Sequence, residues 1–186
     1  VGWSGRNYYY NGSTWSCGTL PSVSYYWFGI KYLSGLWIMY GRYMNTGTDY
    51  RAAIAVSTDG VTWNIGNSGA LITSTSSIDA LRDAIVVGGQ YSLVGSHGWI
   101  ANCSTSCGTI GNWTTGQVSS LKQYSGVYYR SGTYTLVTSN STPYDTTTNW
   151  STFSPITASS YCYRIVDRSS EILGVGGSGY VRASQD

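Results

Sequence analysis

Short apolar and aromatic runs alternate with glycine-centred polar turns along almost the entire chain. The clearest stretch reads Ala84-Ile85-Val86-Val87, Gly88-Gly89, Tyr91-Ser92-Leu93-Val94, a turn from Gly95 to Gly98, Trp99-Ile100-Ala101-Asn102, a cysteine-bearing turn, and Trp113-Thr114-Thr115. Runs of this length, rich in β-branched and aromatic residues and bounded by tight turns, predict four short strands. The same plan precedes Trp63: Phe28 to Leu33, the Ser34-Gly35 turn, Leu36 to Tyr40, a longer polar hairpin loop, Tyr50 to Val56, and the Asp59-Gly60 turn. Before Trp150 it reads Val127 to Arg130, Ser131-Gly132 and Tyr134 to Thr138. The third strand there is weakly marked, and Pro143 predicts an irregular or edge segment.

A tryptophan that follows a polar turn closes each unit. Trp15, Trp63, Trp113 and Trp150 occupy that place, at intervals close to the roughly 40–50-residue period of a four-stranded propeller blade. The ends carry parts of the same plan. Asn7 to Tyr10 reads as a third strand, with Trp15 opening a fourth. Tyr161 to Val166, Glu171 to Val175 and Tyr180 to Ala183 read as strands one to three, stopping where Ser57-Thr58-Asp59 opens its own turn. The expectation is an all-β fold, a single small β-propeller domain over residues 1–186 with four or five four-stranded blades and incomplete terminal blades. The approximate repeats are 1–23, 25–70, 78–118, 121–156 and 160–186.

Ser57-Thr58-Asp59-Gly60-Val61-Thr62-Trp63 resembles the Asp-box hairpin of BNR and sialidase-like β-propellers. In that motif the aspartate caps a tight hairpin, glycine permits positive φ, and tryptophan packs into the sheet. Gly60 follows Asp59 directly, one residue earlier than in the usual form. Asn11 to Trp15 matches in part, and the sites at Trp113 and Trp150 keep little beyond Asn and Trp. The resemblance implies turn and blade roles for Asp59, Gly60, Trp15, Trp63, Trp113 and Trp150. It implies a fold rather than an activity.

Composition then narrows the partners. Only 10% of the 186 residues are charged, and 10 basic against 8 acidic residues give a net charge of +2. That is no electrostatic footprint for nucleic acid or an anionic membrane, and no stretch approaches the roughly 20 apolar residues of a membrane span. With 18 Tyr, 8 Trp and 24 Gly, the chain suits neither a helical bundle nor a disordered segment. It begins at Val1 without a signal-peptide pattern, so it reads as processed or as a piece of something longer. Low charge and four cysteines predict an extracellular location or a cell or virion surface.

Candidate chemistry is sparse. Cys103 and Cys107 bracket Ser104-Thr105-Ser106 at the hairpin equivalent to the Asp59 turn, where a local disulfide could staple it. Cys17 and Cys162 are the other candidate pair; four cysteines allow three pairings, and free thiols remain an alternative. Sequons at Asn11, Asn102, Asn112, Asn140 and Asn149 are candidate glycosylation sites if the protein is secreted. Tyr8, Tyr10, Tyr26, Trp27, Trp99 and Tyr129 lie in aromatic runs whose neighbours face opposite sides. Such residues fill the spaces between blades or, where exposed, offer ligand or assembly surfaces.

Catalysis finds little support. Glycoside hydrolysis commonly needs two carboxylates facing one cleft. Asp59 belongs to its turn, while Asp83 beside Arg82 and Asp167 beside Arg168 read as polar pairs at strand ends. His97 is the one histidine, in a turn without a nucleophile elbow beside it. One histidine and scattered cysteines make no metal set. Gly174 to Gly179 satisfies G-x-G-x-x-G literally, but the strand-like Tyr180-Val181-Arg182 follows where a helix is required. No catalytic residue, metal or cofactor is expected.

Three functional classes remain. A structural or self-assembling surface or fibre subunit is favoured, because an incomplete blade offers a strand edge to another subunit. A lectin-like propeller binding glycans between blades is the alternative. A sialidase-like hydrolase ranks last.

Overall fold

The computed structural model describes the backbone of residues 6–10, 12–19, 24–46, 49–65, 80–138, 144–156, 162–168, 171–176 and 181–185, and side chains within 12–16, 24–44, 50–65, 80–138 and 145–154. β1 (Arg6–Tyr10) and β2 (Trp15–Thr19) form a hairpin. The first four-stranded sheet holds β3 (Tyr25–Leu33), β4 (Leu36–Thr46), β5 (Asp49–Ser57) and β6 (Asn64–Ile65). The second holds β7 (Leu81–Val87), β8 (Gln90–Gly95), β9 (Trp99–Cys103) and β10 (Thr114–Gln117). The third holds β11 (Tyr124–Arg130), β12 (Thr133–Thr138), β13 (Tyr144–Thr147) and β14 (Ser154–Ile156). β15 (Cys162–Arg168), β16 (Glu171–Gly176) and β17 (Val181–Gln185) form a three-stranded sheet.

Within each sheet every strand pairs antiparallel with the next in sequence, and the opening strands of successive sheets contact one another: β7 meets β3 and β11, and β11 meets β15. Sheets of this kind radiate from a shared inner row of strands, which is the architecture of a β-propeller. Adjacent residues Ile38 and Met39 both have 0% exposure. Since neighbours on a strand face opposite sides, both faces of β4 are covered. Leu36, Ile38, Ile54 and Val56 pack with Leu81, Leu93 and Trp113 between the first two blades, and Val94 and Ile100 pack with Tyr124, Val127 and Leu136 between the next two.

Local chemistry sets the register. Ser34-Gly35, Gly88-Gly89 and Ser131-Gly132 all have positive φ at both positions. This is the two-residue turn whose twist matches that of the strands it joins. It fixes Leu33 opposite Leu36, Val87 opposite Gln90, and Arg130 opposite Thr133. Near the start of each opening strand the register skips one residue, at Phe28, Arg82, Ser125 and Tyr163. A bulge at the same place in every opening strand re-aims one side chain per blade.

The outer hairpins at the rim share a position but not a chemistry. Asp59 Oδ1 accepts hydrogen bonds from the Ser57 hydroxyl (2.8 Å), Val61 N (2.8 Å) and Thr62 N (2.7 Å), and Trp63 Nε1 donates to the Gly60 carbonyl (3.1 Å). Asn149 Oδ1 accepts in the same pattern from the Thr147 hydroxyl (3.4 Å), Ser151 N (3.0 Å) and Thr152 N (3.1 Å). This alignment moves Trp150. It occupies the Gly60 position, with φ 61° where Gly60 has 75°, and Phe153 stands where Trp63 does. The sequence reading of Trp150 as the tryptophan closing its blade is therefore corrected. Its ring instead packs on Tyr134 (4.7 Å) and Phe153 (6.4 Å). In the second blade a Cys103–Cys107 disulfide (S–S 2.09 Å) closes the hairpin, and Trp113 Nε1 donates to the Cys107 carbonyl (2.9 Å).

Two further expectations change. The segment after Tyr40 is no loop; β4 runs to Thr46 and pairs with β5 from Asp49. The weakly marked third strand of the third blade is regular over Tyr144–Thr147 and centres on Asp145. Asp145 is 2% exposed and accepts from Lys122 Nζ (2.9 Å) and the Tyr124 hydroxyl (2.8 Å). Burial first, then the bond to Asp145, raises the Tyr124 pKa well above the usual tyrosine range.

Candidate functional site: the axial cavity

The bulges decide what the inner strands present to one another. Phe28, Arg82 and Ser125, the skipped residues of three successive blades, line one cavity of about 150 Å³. Lys31 and Tyr40 complete the first blade's wall, Asp83 the second's, and Gly126, Val127 and Val137 the third's. Apart from Tyr40 on β4 and Val137 on β12, the lining stands on the opening strands of three blades, so the cavity lies among the inner strands that face the propeller axis.

Asp83 holds the three blades together. Its Oδ1 accepts from Lys31 Nζ at 2.6 Å and from Ala84 N at 2.9 Å, and its Oδ2 accepts from Val127 N at 3.0 Å. Lys31 Nζ also donates to the Ala84 carbonyl at 2.7 Å. The Lys31 charge is thus matched by Asp83, and the lone pairs of Asp83 are engaged by two backbone donors and one ammonium.

Arg82 is different. Its guanidinium lies 4.3 Å from the centre of the Phe28 ring. Arg42 lies over the same cluster, 4.1 Å from the centre of the Tyr50 ring, 5.2 Å from Tyr26 and 5.6 Å from Phe28. Among the described residues no carboxylate pairs with either arginine. Partial burial, and then repulsion from Arg42, push the Arg82 pKa below the ordinary arginine range. The site therefore combines the Arg82 guanidinium, with Arg42 close by, an aromatic cushion and a cavity of about 150 Å³.

The sequence reading missed this arrangement and misread one part of it. Arg82 and Asp83 are not a polar pair: the bulge sends Arg82 onto Phe28 while Asp83 reaches Lys31. Of the predicted ligand aromatics, Tyr26 borders the site under Arg42. Trp27 is 4% exposed and stacks on Tyr25 at 5.2 Å, so it is core rather than ligand surface. Trp99 and Tyr129 are partly buried against the two inter-blade cores. The side chains of Tyr8, Tyr10, Cys17, Cys162 and Asp167, and the sequons at Asn11 and Asn140, lie outside the described residues.

The other predicted positions sort by burial. Trp63 is half-buried and Trp113 is 5% exposed, while Trp15 is 71% exposed. Asn102 is half-buried on β9, with its Oδ1 enclosed. Asn112 donates its amide to the Ser106 carbonyl (3.0 Å), and Asn149 caps its hairpin. His97 sits in the short 3-10 turn Ser96–Gly98, accepting at its carbonyl from Gln117 Nε2 (3.0 Å).

No protein-family model matches the chain, and no curated protein matches it. Among solved structures it is similar to one described as YCF48 bound to D1 peptide, with a TM-score of 0.63 and 16% identity. The match covers 100% of this chain and 58% of that one, so the chain spans little over half the length of its structural neighbour. At that identity the likeness shows the fold alone: the chain is an all-β, propeller-type protein.

Proposed function

We propose that this chain is a non-catalytic β-propeller of the Asp-box kind that serves as a structural, partner-binding unit at an extracellular, cell or virion surface. The axial cavity carries the reading: three blades converge on a cavity in which, among the described residues, the Arg82 charge has no carboxylate partner and lies beside the Phe28 ring. Kinship with Asp-box repeats draws support from the shared hydrogen-bond pattern around Asp59 and Asn149. Absence of catalysis draws support from Asp59, Asp83 and Asp145, the carboxylates whose contacts are described, each occupied by structural hydrogen bonds. The Cys103–Cys107 disulfide favours an oxidising compartment. The structural neighbour is described as bound to a peptide, which makes a protein segment the first partner to test.

Self-association is a second form of partnership. Among the described residues β17 has a strand neighbour on one side only, and such an edge can accept a strand from another copy. A glycan reading rests on Tyr32, 56% exposed and tilted against Trp37 at 4.8 Å, an aromatic surface of the type sugars stack on.

The test is a peptide array probed with the chain and with Ser125→Trp, which fills the cavity without changing charge. Peptide binding that disappears in the filled variant supports the reading. Peptide binding that survives filling, or sugar binding that depends on Tyr32 in its place, overturns the cavity as the point of engagement. Sedimentation across a concentration series reports self-association separately.

A further inference from the structure

We infer that the axial cavity is a carboxylate-binding site, with Arg82 as its recognition residue and a carboxylate of a peptide as the ligand. The inference rests on the proposed binding role and adds the chemistry of what is bound.

Charge balance inside the cavity is the first argument. Among the described residues, Lys31, Arg82 and Asp83 are the ionised side chains that line it. Asp83 and Lys31 neutralise each other at 2.6 Å, which leaves the Arg82 guanidinium in the cavity lining without a carboxylate partner among the described residues. Arg42 adds a second positive charge near the same Phe28 ring, 5.6 Å from its centre. Two guanidiniums sharing one phenyl ring repel, and an anion placed against Arg82 relieves that repulsion. The Arg82 pKa is lowered first by burial and then by this repulsion.

Geometry is the second. The Arg82 guanidinium carbon sits 4.3 Å over the Phe28 ring, a contact that consumes none of its N–H donors, and those donors match a carboxylate with two parallel hydrogen bonds. A cavity of about 150 Å³ is of the size that admits one benzene-sized group. It therefore takes a carboxyl group and the methylenes behind it, with Phe28, Tyr40 and Val137 as apolar walls, but not a folded element.

Competition is the third. A phosphate dianion needs several strong donors, and here Lys31 Nζ is held by Asp83 and the Ala84 carbonyl. The Asp83 carboxylate within the same lining repels a doubly charged ligand more strongly than a singly charged one. The site suits one negative charge.

The source of the carboxylate is either a Glu or Asp side chain or a peptide C-terminus, and the arms of one experiment separate them. Fluorescein-labelled eight-residue peptides of Gly and Ser are titrated into the full chain by anisotropy. One is amidated with two internal Glu residues, one has a free C-terminus and no acidic residue, and one is amidated and uncharged. Binding of the first or second, but not the third, is expected, weakening as salt is raised. Arg82→Gln is expected to weaken it about 10- to 100-fold, as loss of a charge-assisted bidentate pair does. Arg82→Lys should restore only part of it. Thermal melts of each variant establish that it is folded.

Equal binding of all three peptides that is still abolished by Ser125→Trp leaves the cavity as a binding site and sinks the carboxylate inference. Absence of binding by any peptide, here and on the array, sinks both. Unchanged affinity in folded Arg82→Gln, or displacement by inorganic phosphate at lower concentration than by acetate, also overturns it.

Discussion

The rim and the axis of this propeller are built from equivalent positions in successive blades, yet they vary in opposite ways. At the rim, Ser57 with Asp59, Cys103 with Cys107, and Thr147 with Asn149 perform the same task. Each closes the hairpin between third and fourth strands, two by hydrogen bonds and one by a covalent bond. At the axis, the bulge positions hold Phe28, Arg82 and Ser125, which share no chemistry and combine into one cavity. Where the repeat must do one job, different residues converge on it. Where the fold makes no demand on the side chain, each blade contributes a different part of a site.

Predictions that break this contrast can be ordered by expected size. Trp150→Gly should be among the most damaging rim changes. It restores the residue type found at position 60 and relieves the positive φ, but it removes a side chain packed on Tyr134 and Phe153. The net loss should be about 2–3 kcal/mol in urea unfolding. A stabilised variant would show that the turn, not the packing, governs that position.

Asp83→Ala removes a charge-assisted bond to Lys31 and strands the N–H groups of Ala84 and Val127. A loss of about 2 kcal/mol is expected, with the blades less firmly joined. No change in the urea midpoint would mean that apolar packing alone fixes blade order.

Replacing Cys103 and Cys107 together by Ser should cost about 2 kcal/mol, the loop-closure entropy of so short a ring. Urea unfolding with and without reductant reads it. If reduction has no effect, the hydrogen bond from Trp113 to the Cys107 carbonyl suffices to hold the hairpin.

The smallest expected effect is pH-dependent. Hydrogen bonds from Thr62 N, Val61 N and the Ser57 hydroxyl lower the Asp59 pKa from 3.8 to about 2. Because the folded value lies below the unfolded one, this contribution is complete above about pH 4 and is lost as the pH falls through 2. Asp59→Asn should flatten the stability profile over that window and leave stability at neutral pH nearly unchanged, since Asn149 already does this work in another blade. A profile that stays as steep would place the titrating group elsewhere.

The sequence exposed the fold more readily than the site, and the reason is physical. Glycine turns such as Gly88-Gly89 require residues of one type, so they are visible in one chain. Asp59-Gly60 and the Cys103–Cys107 pair were legible for the same reason. Trp150 was misplaced because a turn that usually takes glycine here takes a large residue whose packing offsets the strain. Arg82 was hidden because a bulge breaks the two-residue alternation on which facing is judged. Reading alternation alone turns Arg82 and Asp83 to opposite faces without revealing their partners. Lys31 and Phe28 lie more than fifty residues away in sequence, and no local signal joins them. A comparison of the residues two to three positions into each opening strand would have found the bulges, but only once the hairpin register was known.

The separation of rim from axis is tested most directly by measuring two quantities on two variants. Peptide affinity and thermal midpoint are recorded for Arg82→Gln and for the Cys103→Ser, Cys107→Ser double variant. Arg82→Gln should lose affinity for the carboxylate-bearing peptide that the parent binds, about 10- to 100-fold, with its midpoint unmoved. The disulfide variant should drop by about 4–8 °C while binding the peptide as the parent does at a temperature where both are folded. If the two properties fall together in both variants, axis and rim are one structural unit and the axial cavity is not a separate site.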